Sequence, residues 1–169
     1  MKRFTTLATV AVIALAVVAV YAMSASGSTS TGTVNLRSTS LGRVLADAKG
    51  RTLYLFQKDR SGRSSCSGAC ATNWPPLTAA SPKAGSGVRK AEIGTTKRAD
   101  GRTQVTYHGH PLYRYVGDTK PGATTGEGLN FFGGRWYAVN AAGNRVVQGG
   151  TGYNAPTTTP ATSPTPYGY

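Results

Sequence analysis

Four side chains in this 169-residue chain could bind a soft metal or exchange electrons: Cys66, Cys70, His108 and His110. They are all the cysteine and histidine that the chain contains. Two thiolates four positions apart can hold a soft cation such as Cu(I), and imidazoles can complete the ligand set if the fold brings them close. Oxidised, the same cysteines would instead close a short loop as a structural disulfide, the expected state in an oxidising compartment. The histidines read more simply as a turn residue and a loop residue. Spacing alone leaves both readings open, with the disulfide first and a redox or copper-handling site as the alternative.

Other chemistries find little to work with. Six Asp and Glu residues supply no carboxylate pair at a spacing that suggests glycoside hydrolysis. There is no Gly-x-Ser-x-Gly nucleophile elbow. Gly126-x-Gly128 is followed by no helical pattern, so it is not read as a nucleotide loop. Trp74 and Trp136 could form a ligand surface by stacking on sugar rings, although filling a core is the simpler use of an indole. The chain is read first as a binding or structural module of the envelope or extracellular space, of unknown biochemical function, ahead of an enzyme, and with no cofactor.

The N-terminus sets the compartment. Lys2 and Arg3 precede an apolar run from Leu7 to Met23 rich in Ala and Val, and small residues follow. That is the pattern of a secretory signal peptide, taken here as residues 1–24. A lipoprotein would need a Cys just after the run, but the first Cys is Cys66. A lipid anchor is therefore not expected, and membrane attachment would require an uncleaved leader. Residues 25–33 are Ser, Thr, Gly and Ala, a flexible linker. Residues 150–169 are rich in Thr, Pro and Gly and too poor in apolar side chains to offset ordering entropy. The full chain carries a net charge of +13, and losing Lys2 and Arg3 with the leader leaves about +11. The expected partner is an anionic cell-wall polymer, a polysaccharide or another envelope protein, bound in a salt-sensitive way. Nucleic acid fits the charge but not the export signal.

The part between the tails, residues 34–149, contains a repeat. Gly50-Arg51-Thr52-Leu53-Tyr54-Leu55-Phe56-Gln57-Lys58-Asp59 returns as Gly109-His110-Pro111-Leu112-Tyr113-Arg114-Tyr115-Val116-Gly117-Asp118. Both read Gly-x-x-Leu-Tyr-x-aromatic-x-x-Asp, which points to a duplicated unit, about 34–80 and 92–149. The motif residues Tyr54, Phe56, Asp59, Tyr113, Tyr115 and Asp118 are read as structural. They resemble the signature of an uncharacterised bacterial family of secreted repeats and predicted lipoproteins, marked by Tyr-x-(Phe/Trp/Tyr)-x-x-Asp. The resemblance extends through Cys66-Ser67-Gly68-Ala69-Cys70-Ala71-Thr72-Asn73-Trp74-Pro75-Pro76-Leu77 and Gly133-Gly134-Arg135-Trp136-Tyr137. It implies an extracytoplasmic β domain.

The elements that must position these residues also read as β. Strands are expected at Val34–Thr39, Val44–Ala46, Thr52–Phe56, Ile93–Lys97, Thr103–Tyr107, Leu112–Tyr115, Trp136–Val139 and Arg145–Gln148. Asp47–Gly50, Asp100-Gly101, His108-Gly109 and Ala141–Gly143 supply the turns. A short helical turn is expected within Cys66–Asn73, ended by Trp74 because the following Pro75 disfavours helical backbone there. The fold class is all-β: antiparallel hairpins from two related units in one compact sandwich- or barrel-like domain. Within the repeat strands, alternation puts Tyr54 and Phe56, or Tyr113 and Tyr115, on one face. That face is expected to be the common core. Asp59 and Asp118 are read first as Asx-turn residues, and second as partners for buried Tyr hydroxyls.

Overall fold

The structure, a computed structural model, describes residues 32–146. The leader, nearly all of the linker, the C-terminal tail and the end of the last expected strand lie outside them. The fold is all-β, in three small three-stranded sheets that do not close into a barrel. Strands β1 (Thr33–Thr39) and β2 (Gly42–Ala46) form an antiparallel hairpin, and β4 (Lys83–Ala84) joins β1 in parallel. That parallel pair departs from the antiparallel expectation. It is two residues long, and the 82–85 segment reaches it after a long excursion through the disulfide loop. β3 (Tyr54–Phe56) pairs with β9 (Gly134–Ala138), which also pairs with β8 (Asn130–Phe131). β5 (Ile93–Lys97), β6 (Thr103–Tyr107) and β7 (His110–Pro111) form the third sheet. The helix α1 (Ala69–Asn73) stops at Trp74, whose φ of −121° and ψ of 75° lie outside the helical region that the following Pro75 disfavours.

The two repeat units exchange strands. β3 of the first unit lies along β9 of the second, with Tyr54 opposite Ala138 and Phe56 opposite Trp136. The equivalent stretch of the second unit lies along residues 73–77 of the first. Leu77 N donates to Leu112 O, Arg114 N to Pro75 O and Val116 N to Asn73 O. This second pairing is no regular strand because Pro75 and Pro76 have no N–H to donate; their carbonyls can still accept. At the centre the two motif tyrosines face each other. Tyr54 N donates to Tyr113 O at 2.9 Å and Tyr113 N to Tyr54 O at 3.0 Å.

Alternation along the repeat strands supplies two cores rather than one. Leu53, Leu55 and Leu112 enter an aliphatic cluster with Val34, Leu45, Leu77, Val105, Tyr107 and Val139. Tyr54, Phe56 and Tyr113 enter an aromatic cluster with Cys66, Cys70, Trp74, Trp136, Val44 and Ala138. The aromatic face is thus a shared core as expected, but the leucine face is equally buried. The strands are covered on both sides because each unit closes over the other.

Candidate functional site

The aromatic cluster is built from exchanged pairs. Phe56 stacks on Trp136 (4.0 Å between centroids), Trp136 on Trp74 (4.0 Å) and Trp74 on Tyr115 (4.3 Å), a four-ring column crossing both units. Tyr54 meets Trp74 edge-on at 5.4 Å, and Tyr113 meets Trp136 edge-on at 5.1 Å. Both indoles are fully buried. The sugar-stacking surface considered for Trp74 and Trp136 is therefore absent: each ring is covered on its faces by another aromatic. Gly126 makes this closeness feasible, since a Cβ there would sit 2.8 Å from Trp74 Cη2 and 2.9 Å from Tyr54 Cζ. Trp136 Nε1 donates to Phe131 O at 3.3 Å, whereas Trp74 Nε1 is buried without a hydrogen-bond partner.

The motif aspartates complete the exchange. Tyr54 Oη donates to Asp118 Oδ2 at 2.6 Å, and Tyr113 Oη donates to Asp59 Oδ2 at 2.8 Å. Each hydroxyl therefore reaches the carboxylate of the other unit. The second oxygen of each carboxylate organises its own loop. Asp59 Oδ1 accepts from Ser65 N and Oγ, and Asp118 Oδ1 from Thr125 N and Oγ1. These bonds span six and seven residues, so the Asx-turn expectation gives way to a wider loop clamp. A buried phenol needs an acceptor and a buried carboxylate needs donors, and one bond meets both needs. Burial pushes both phenols well above their ordinary range, and the facing aspartate adds to it; they remain neutral donors. Burial also raises the Asp59 carboxyl, against the pull of its hydrogen bonds from Ser65 and Tyr113 and the charge of Arg98.

Cys66 and Cys70 are bonded to each other, with Cα atoms 5.3 Å apart. The bridge belongs to the aromatic cluster, and the two residues are 1% and 6% exposed. Buried Arg98 ties its loop to β6, donating to Cys66 O at 2.6 Å, Gln104 Oε1 at 2.7 Å and Ser64 Oγ at 2.7 Å. Reduction should lower unfolding free energy by about 2 kcal/mol, the chain-entropy value for so short a loop. Urea unfolding with and without reductant measures this; coincident curves would show that the bridge adds nothing. His108 sits in the β6–β7 turn at φ 48°, its Nδ1 2.7 Å from Glu92 Oε2. Among the described residues no group of three or more His, Cys, Asp or Glu side chains gathers as a metal site would require. The set Cys66, Cys70, His108 and His110 is thus not assembled as a ligand cluster.

His110 instead lines a cleft of about 510 Å³ beside β3, with Phe56, Asp59, Arg60, Tyr137 and Arg145 among its walls. The Arg145 guanidinium lies 5.2 Å from the centre of the Tyr137 ring, within cation–π range. Arg60 is exposed, with Nη1 donating to Gln57 O and Asp59 O. Partial burial pushes the His110 imidazole below its ordinary value, and the neighbouring His108 pushes the same way, against the charge of Asp59. The positions in the other unit that match Leu55 and His110 are Arg114 and Arg51. There, both arginines bond to buried Asp47, at 2.8 and 2.7 Å. Sequence reading singled out Asp59 and His110 but missed Arg60, Tyr137 and Arg145. Arg60 follows the motif directly, and its counterpart Thr119 breaks the repeat; that difference was the available signal.

No curated protein and no solved structure matches the chain significantly. Among the described residues no helix is long and apolar enough to cross a membrane. The family model described as a secreted repeat of unknown function matches twice, at residues 36–78 and 94–140. The two stretches hold the two Tyr-x-aromatic-x-x-Asp motifs and both stacked tryptophans, and together they cover more than half of the chain. The protein belongs to this family of secreted repeats of unknown function, with the repeat present twice.

Proposed function

We propose that the protein is a non-enzymatic module of the cell envelope that binds an anionic wall polymer or polysaccharide in the cleft beside β3. The cleft itself carries this reading. It sets two exposed guanidinium groups, Arg60 and Arg145, beside the aromatic Tyr137 and the amide of Asn144. Guanidinium forks suit carboxylate or phosphate groups, and an aromatic ring with an amide suits the polyol between them. The one carboxylate in the lining, Asp59, is already occupied by Tyr113 and Ser65. The net charge of about +11 that remains without Lys2 and Arg3 draws polyanions toward the domain at long range. Lipid attachment is not part of this reading: the first cysteine after the leader is Cys66, which is disulfide-bonded. The alternative, redox or copper handling by Cys66 and Cys70, would have to open a bridge whose residues are almost fully buried.

Titration with polygalacturonate and with poly(glycerol phosphate) tests the proposal and distinguishes carboxylate from phosphate recognition. Arg60→Ala with Arg145→Ala should weaken binding about tenfold, equivalent to loss of about 1.4 kcal/mol. Binding of poly(glycerol phosphate), which stays charged, should tighten as pH falls from the ordinary imidazole range toward the ordinary carboxyl range, because His110 gains its charge below the first and Asp59 loses its charge above the second. Equal affinity in the double variant would remove the cleft from consideration. For the redox alternative, free thiols in exported protein purified without reductant would be the supporting result.

A further inference from the structure

The β8–β9 hairpin ends in a feature that neither core nor cleft uses. Phe131 and Phe132 are 49% and 40% exposed. Their rings lie 6.4 Å apart at the tip. Phe131 pairs with Gly134, so Phe132 and Gly133 are the two turn residues. Both have left-handed backbone, φ 56° and 77°. A two-residue turn of this kind favours Asn-Gly, and a bulky aromatic with positive φ is strained. The chain thus holds a large apolar ring at a position where a small polar residue would be more stable. Strain of this sort collects at functional positions.

The surroundings are basic. Lys58 reaches over the turn, with Nζ donating to Phe132 O at 3.4 Å and its stem against Gly133 and Gly134. Arg135 follows the turn on β9 and is exposed. From Gly128 to Tyr137 there is no acidic residue. The nearest in sequence, Glu127, accepts a hydrogen bond from Ala138 N. Two half-exposed aromatic rings at a hairpin tip, with Lys58 and Arg135 beside it, match an interface with apolar depth and anionic headgroups. We propose that this hairpin tip docks the protein on an anionic lipid bilayer, with Phe131 and Phe132 entering the headgroup region and Lys58 and Arg135 facing the phosphates. The proposal is independent of ligand binding in the cleft.

Co-sedimentation of protein recovered from the culture medium with vesicles tests it. Vesicles of phosphatidylglycerol and phosphatidylcholine are compared with pure phosphatidylcholine. The wild-type protein should partition at least tenfold more strongly onto the anionic vesicles. Phe131→Thr with Phe132→Asn should lower that partition at least tenfold. The Asn-Gly turn it creates relieves the backbone, so the melting temperature should be unchanged or raised, which separates docking from folding. Lys58→Gln with Arg135→Gln should also weaken partition while leaving the rings in place. Wild-type partition by the Phe variant would overturn the proposal and leave only diffuse charge attraction. So would absence of wild-type binding to anionic vesicles. If the Phe variant instead loses polymer binding with no vesicle binding in any form, the tip is part of a glycan surface and the lipid assignment is wrong.

Discussion

Trp136→Ala is expected to cost about 3–5 kcal/mol, the range for removing a large aromatic from a packed core. The ring touches Phe56 and Trp74 on its two faces and Tyr113 at its edge. Its loss would open a cavity in the middle of the four-ring column, between Phe56 and Trp74 of the first unit, and remove the second unit's indole from between them. Domains of this size are stable by roughly 5–15 kcal/mol, so the variant should lose a large part of its stability and can fall near the unfolding threshold. Chemical denaturation measures the loss. Trp136→Phe, which keeps a ring in the column, should recover much of it. An Ala variant that melts like the wild type would mean that the column is not what holds the units together.

The second large effect concerns the exchanged Tyr–Asp bonds. Asp118→Ala removes the acceptor of buried Tyr54 Oη and of Thr125 N and Oγ1. Each lost bond to a charged group is worth about 1.5–3 kcal/mol, and the donors left behind are poorly placed for water. A loss of about 3 kcal/mol is expected by denaturant unfolding. Double-mutant cycles test the crossed pairing directly. Tyr54→Phe with Asp118→Asn should show a coupling above about 0.5 kcal/mol, and so should Tyr113→Phe with Asp59→Asn. Tyr54→Phe with Asp59→Asn, two residues of the same motif copy, should be close to additive. Coupling within a copy and none across copies would mean that the units do not exchange partners.

The motif of this family takes on a physical meaning in that arrangement. Tyr, the aromatic two residues on, and Asp three further on each serve the opposite unit. The Tyr bonds the other copy's Asp. The aromatic stacks on a Trp contributed by the other unit: Phe56 on Trp136, Tyr115 on Trp74. A single copy would leave a buried phenol, a carboxylate and one ring face unpartnered, so two copies complete one core.

Local elements were legible in the residues because local rules act on them directly. The hairpin β5–β6 has the expected bounds, with Gly101 at φ 79° in its turn. The helix ends where Trp74 precedes Pro75, and the cysteines four apart are bonded. The aromatic face of the repeat strand was legible from alternation. The partner of each strand was not. Period-two patterning shows which side chains share a face, but not which of several compatible edges will pair. Here the choice fell across the repeats, because exchange covers both faces of Leu53–Phe56 and buries both indoles at once. That also explains why Trp74 and Trp136 could be read as exposed platforms: a Trp beside glycine or proline has no local feature that distinguishes core from surface. The cleft residues Arg60, Tyr137 and Arg145 come from both units, Tyr137 from β9 and the arginines from segments outside the strands, and only tertiary packing brings them together. What the sequence determined by itself was the secreted-repeat motif, the all-β class and the duplication, each set by composition or short-range period. What tertiary structure alone decided was the exchange, the crossed Tyr–Asp bonds and the place of the open cleft, because those depend on contacts between residues 50 to 90 positions apart.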